Sequence, residues 1–201
     1  MALAERERHA LVETLLSADP DAPTLCEGWT VRHLLAHLVQ RDHHPLQFAV
    51  DQLEHRPPGQ ERFLPRLVEA ASTPEGYREL VERFASGGSR LNPLSYGGDA
   101  AHLAEFVIHH EDIRRGTGRA EPRSLPLDTE QAIWRGLGAG ARVALRDLPG
   151  PIRLEAPGRE PRTVGRGEPV TVLRGEPVEL LLYVAGRRDA ADVEVVSNAP
   201  A

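Results

Sequence analysis

Two stretches of this chain space leucines as a helix does, and each carries histidines along the edge of the same apolar stripe. In TLCEGWTVRHLLAHL, residues 24–38, Val31, Leu34, Leu35 and Leu38 mark a buried face, and His33 and His37 sit four apart among them. In AAHLAEFVIHHEDIRR, residues 100–115, the polar set is His102, Glu105, His109 and His110. An imidazole at the margin of a buried stripe points into the cleft between helices. Two such helices facing each other predict a metal site.

The remaining helices set the frame. Residues 3–17 predict a first helix through Leu3, Ala10, Leu11, Leu15 and Leu16, stopped by SADPDAPT. Thr30 N-caps the second, with Trp29 expected to staple onto Leu34, and Pro45 kinks or ends its first part. A third helical region spans about 61–85, broken near Thr73-Pro74. After the loop SGGSRLNPLSYGGD, Asp99 caps a fourth helix that ends near Gly116, where Arg114 and Arg115 complement its dipole. Four helices with some long connections are bundle arithmetic. Beyond about residue 120, EPRSLPLD reads as a linker and 129–146 as a fifth helix. PIRLEA, RTVGRG, EPVTVLRG and ADVEVV read as short strands, with a helix over VELLLYVAGRR. The expected fold class is therefore α+β, with a four-helix domain over 1–120 and a small α+β unit over 121–201.

Composition narrows the chemistry. The chain has 201 residues, 40% of them apolar, which is enough for a core. It contains no lysine, so Schiff-base and P-loop lysine chemistry are excluded. A net charge of −6 and 4% aromatic residues argue against nucleic acid as a partner. The single cysteine, Cys26, rules out an intrachain disulfide and suits a reducing compartment. The charged, amphipathic N-terminus does not read as a signal peptide, and no apolar run reaches the ~20 residues of a membrane span. A cytoplasmic protein with no membrane partner, monomer or homodimer, is expected.

At about 100° per residue, Glu105 and His109 fall roughly 40° apart on the fourth helix, with His102 and Asp112 within about 60° of Glu105. His37 from the second helix and Glu-x-x-x-His from the fourth would supply two nitrogens and one carboxylate oxygen. That set leaves coordination positions open, as in a catalytic zinc or facial-triad site. The plain alternative is a solvated Glu–His pair. His33, His43, His44, His110 and Glu111 are expected to face solvent. His102 is a fourth candidate, and Cys26 reads as a small buried residue. GLGAGA, residues 136–141, fits a dinucleotide-site pattern but lies in a helix with no strand before it, and is discarded.

APTLCEGWTVRHLLAHL resembles the opening of the DinB-like metal-binding domain of the mycothiol-dependent maleylpyruvate isomerase family, with its Cys-x-Gly-Trp-Thr-Val-x-x-Leu-x-x-His-Leu pattern. EFVIHHEDIRRG is similar to the same family's fourth-helix motif, and GEPVELLLYVAGRR to its C-terminal, sterol-carrier-like part. The resemblance implies a DinB-like four-helix bundle with a small C-terminal sterol-carrier-like α+β unit. It implies a divalent metal, zinc by expectation, held by His37, Glu105 and His109. It implies mycothiol as cosubstrate, a small-molecule thiol and substrate as partners, and a transferase or isomerase reaction. Arg187, in AGRR, matches a family arginine and would anchor an anionic substrate or thiol carboxylate, with a helix-end charge as its plain alternative. The rival functions are a metal or thiol sensing module without turnover and a carrier of apolar ligands.

Overall fold

The computed structural model describes residues 1–88, 98–118 and 121–197. The chain divides into two compact units, Met1–Ala120 and Glu121–Ala201.

In the first unit the long helices are α1 (Leu3–Ser17), α2 (Val31–His43), α5 (Pro74–Ala85) and α6 (Gly98–Gly116). Two shorter ones, α3 (Pro45–Glu54) and α4 (Leu64–Ala70), lie between α2 and α5. Both expected breaks fall at prolines, which lack the N–H that would continue the ladder. His44, at φ −132° and ψ 55°, separates α2 from α3, and Thr73 caps α5 through Gly76 N–H. The α4 start is satisfied from α3: the buried Asp51 carboxylate accepts the backbone N–H groups of Arg62, Phe63 and Leu64. α1 packs on α6 and α5, and α2 packs on α5 and α4. Leu11, Leu15, Leu34, Leu35, Leu38, Phe84 and Phe106 fill the space between them, with the two phenylalanine rings edge to face at 5.6 Å.

Asp99 does not cap its own helix. It lies in the first turn of α6, and its carboxylate accepts Leu3 N–H and Ala4 N–H at the start of α1. Of the loop expected over SGGSRLNPLSYGGD, residues 89–97 lie outside the described residues.

The second unit holds α7 (Leu127–Ala144), α8 (Pro177–Val184) and four strands, β1 (Ile152–Glu155), β2 (Arg162–Val164), β3 (Thr171–Arg174) and β4 (Glu194–Ser197). The sheet order is β2-β1-β3-β4, with β1 and β3 parallel and both edges antiparallel. Leu154 and Leu173 are paired across the parallel strands and fully buried, as are Leu180 and Leu182 of α8. The fold class is α+β, as the alternation of apolar runs predicts. No helix among the described residues is long and apolar enough to cross a membrane.

Candidate metal centre

α2 and α6 bring His37, Glu105 and His109 together. Glu105 Oε1 lies 3.4 Å from His37 Nε2 and 3.3 Å from His109 Nε2. The two imidazole rings stand 5.1 Å apart, nearly edge to face. Both are buried, while the Glu105 side chain keeps 27% of its surface exposed, so the cluster is reachable from solvent on the carboxylate side. The separations are informative. Ion-paired nitrogens and oxygens in direct hydrogen bonds close to about 2.7–2.9 Å. Two donors on one tetrahedral ion, with bonds of about 2.0–2.1 Å, stand roughly 3.3–3.4 Å apart. The His–Glu contacts match the second spacing.

His109 is oriented from behind. Its Nδ1 lies 2.9 Å from Asp112 Oδ2, and a carboxylate only accepts, so Nδ1 carries the proton and Nε2 faces Glu105 and His37. A carboxylate on the far nitrogen is the usual partner of a metal-binding histidine. Asp112 is fully buried and also accepts the Cys26 thiol at 3.2 Å. Cys26, His109 and Asp112 form a second group of potential donors sharing His109. Arg41, one turn beyond His37, places Nε 3.5 Å from Glu105 Oε1. The ring of Trp29 lies 5.1 Å from that of His37, and Phe48 of α3 lies 5.4 Å from it. Trp29 thus covers His37.

Burial pushes the His37 imidazole pKa down, against the raising effect of Glu105, so His37 is neutral and presents a lone pair at neutral pH. Burial works against the charged forms of the other two, but their contacts prevail. The imidazoles hold the Glu105 carboxyl well below the usual carboxylate range. Asp112, Cys26 and Glu105 raise the His109 pKa well above 6.5. A cation is therefore favoured at the centre of the cluster, and the His109 proton supplies that charge when no metal does.

The loop before α2 is built to reach this site. Thr24 N–H donates to Trp29 O and Trp29 N–H to Cys26 O, closing residues 24–29 on themselves through Gly28 at φ +77°. Leu25 N–H then donates to Asp112 O on α6. A Cβ at Gly116 would lie 2.4 Å from Thr24 Cα, so the loop sits flush on the end of α6 only because that residue is glycine.

The other sequence candidates fall elsewhere. His33 Nδ1 accepts Thr30 N–H at 3.3 Å and works as part of the α2 cap. His102 is bonded to Arg41 Nη1 at 3.1 Å and belongs to neither donor group. His110 and Glu111 correct the expectation of a solvent face, being 3% and 0% exposed. His110 contacts Glu7 Oε1 and Thr14 Oγ1, each at 2.7 Å, and Glu111 pairs with Arg114 and Arg115. α6 turns one face to α2, but α1 covers another, and that packing buries His110. In the second unit, Gly186 at φ +87° ends α8: Gly186 N–H donates to Tyr183 O and Arg187 N–H to Leu182 O. Arg187 Nη1 donates to Ala185 O at 2.6 Å. Arg188 is not on a continuing helix; it starts a 3-10 turn and makes a bidentate pair with Asp147 at 2.7 and 2.9 Å.

Fold and site define an α+β protein whose helical bundle carries an open two-histidine, one-carboxylate cluster. Residues 1–95 match the family described as mycothiol maleylpyruvate isomerase N-terminal domain. The chain is similar in fold to a crystal structure of a histidine-to-alanine mutant of the mycothiol-dependent maleylpyruvate isomerase. The TM-score is 0.62 at 20% identity, over 98% of this chain and 93% of that one. A second crystal structure of that isomerase aligns over the same shares with a TM-score of 0.42 and 17% identity. No curated protein matches the chain. The family match and the shared fold support the resemblance to the mycothiol-dependent maleylpyruvate isomerase family read from the sequence.

Proposed function

We propose that this protein holds one divalent ion, zinc by its donor set, through His37, Glu105 and His109, and acts as a mycothiol-dependent transferase or isomerase on a small electrophilic substrate. The observation that carries this is the convergence of three donor atoms from two helices, with both histidine nitrogens at ligand-to-ligand spacing from the Glu105 oxygen. A bound divalent ion would supply the charge that lets a thiol or water lose its proton near neutral pH. The chain's own residues set the conditions. His37 and His109 offer nitrogen lone pairs, Asp112 fixes the His109 ring, and Trp29 and Phe48 shield His37 from water. Three protein donors leave coordination positions for an external thiol.

The metal-binding role belongs to residues 1–120, taken as a domain, with 121–201 as a second. Arg187 is assigned the anchoring of an anionic substrate or thiol carboxylate, because a guanidinium presents a fork of donors matched to a carboxylate. The expected setting is the cytoplasm, where low-molecular-weight thiols stay reduced.

Metal analysis of the purified protein should give one equivalent, and His37→Ala should lose it while staying folded. Cobalt-substituted protein should gain a thiolate charge-transfer band and release a proton on adding mycothiol. Full metal occupancy in His37→Ala would overturn the ligand set. A cobalt spectrum unchanged across millimolar thiol would leave a metal-binding module without thiol chemistry.

A further inference from the structure

Cys26 is the only thiol in the chain, and the loop that delivers it is anchored to α6. We propose that Cys26 is a positioning residue for the metal centre: its thiol holds the Asp112 carboxylate, which in turn holds the His109 ring. The proposal rests on His109 being a metal ligand. Three contacts form the relay. Cys26 S–H donates to Asp112 Oδ2 at 3.2 Å, the same oxygen accepts His109 Nδ1–H at 2.9 Å, and Leu25 N–H donates to Asp112 O at 3.0 Å. Side chain and backbone of Asp112 are thus both fixed by consecutive residues of one loop.

Geometry separates this role from direct ligation. A zinc-bound sulfur and carboxylate oxygen, with bonds of about 2.3 and 2.0–2.2 Å, stand roughly 3.5 Å apart, and a bound nitrogen and oxygen roughly 3.3–3.4 Å. The separations here, 3.2 and 2.9 Å, are shorter and are those of hydrogen bonds. The cluster around Glu105 has ligand spacing; the cluster around Asp112 has hydrogen-bond spacing. His109 joins them, one nitrogen to each.

A thiol donating to a fully buried carboxylate limits how far that carboxylate can swing. Without the donated proton, Asp112 would keep its bond to His109 but lose a tether, and the ring would sample wider angles. Direct carboxylate partners of metal-bound histidines change metal affinity about 10–100-fold when altered. Cys26 touches the His109 imidazole as well as Asp112, and as the weaker, uncharged partner it should act less.

The test compares wild type, Cys26→Ala, Cys26→Ser and Asp112→Asn by two readouts. The first is the zinc dissociation constant from chelator competition. The second, on metal-free protein, is the exchange rate of the His109 Nδ1 proton by NMR. Cys26→Ala should weaken zinc by about 3–10-fold, below the about 10–100-fold expected for Asp112→Asn. It should also speed exchange of the ring proton. Cys26→Ser keeps a hydroxyl donor and should restore both to within about twofold of wild type. If Cys26→Ala matches wild type in both readouts, the proposal is overturned. Equal loss in the Ala and Ser variants overturns it as well, because packing rather than the donated proton would then be at work. If wild type binds no zinc while Cys26→Ala still speeds ring-proton exchange, the metal reading falls and the positioning of His109 stands.

Discussion

His109 and His110 are neighbours in sequence, both buried, and each contacts a carboxylate, yet they serve different faces of α6, about 100° apart. His110 meets Glu7 and Thr14 of α1 at 2.7 Å on both ring nitrogens, the length of strong hydrogen bonds. His109 meets Asp112 at 2.9 Å on one nitrogen, while the other stands 3.3 Å from Glu105 with His37 beyond it. The His110 side is closed: each nitrogen has a partner at bonding distance. On the His109 side the contacts to the shared Glu105 oxygen are longer, 3.3 and 3.4 Å. Burial and residue type are the same for both imidazoles; the distances to their partners are what differ.

That contrast can be broken most directly by exchanging which histidine is lost. His109→Ala should abolish stoichiometric zinc binding. His110→Ala should leave zinc occupancy at one equivalent, because its ring does not face the cluster. It should instead cost stability, about 1–3 kcal/mol, as the buried Glu7 carboxylate and the Thr14 hydroxyl each lose the hydrogen bond to its ring. Equilibrium denaturation and metal analysis of the two variants check both statements. Zinc loss in His110→Ala, with the fold intact, would erase the distinction.

A subtler probe is pH. In the metal-free protein the raised His109 pKa contributes stability in full below pH 6.5, the unperturbed value, and that stability is lost as pH rises through the raised pKa. His37 runs the other way. Its lowered pKa contributes stability above 6.5 that is lost as pH falls through the folded value. Zinc must displace the His109 proton, so its affinity rises with pH until that proton is gone. The zinc-induced increase in Tm should therefore grow as pH is raised from about 6.5, the unperturbed histidine value. A Tm increase independent of pH would mean that His109 gives up no proton to the metal.

The smallest effect is expected at His33, four residues before His37 on the same helix. His33→Ala should leave zinc affinity unchanged and lower stability by about 0.5–2 kcal/mol through the weakened α2 cap. A drop in zinc affinity there would extend the metal site to the start of α2.

Much of this was legible from local pattern. The stripe of Val31, Leu34, Leu35 and Leu38 determined α2, and the prolines at 45 and 74 determined where two helical regions split. Strand positions in the second unit followed from short apolar runs between glycines and prolines. The pairing of His37 with Glu105 and His109 was readable as well, since four-residue spacing fixes one face and two such faces meet in a bundle. His109 and Asp112, three apart, carried their contact in the sequence too. Tertiary packing alone decided the rest. Whether His110 is exposed depends on α1, about a hundred residues earlier, turning Glu7 and Thr14 toward it. Asp99 caps α1 rather than α6 because the two helix starts are adjacent in space. Cys26 reaches Asp112 because Gly28 allows a tight loop and Gly116 lets it lie against α6. Helical periodicity specifies the direction in which a side chain leaves its own helix. It carries no information about which distant group waits there, and that partner sets whether a buried histidine is locked in place or left able to take a metal.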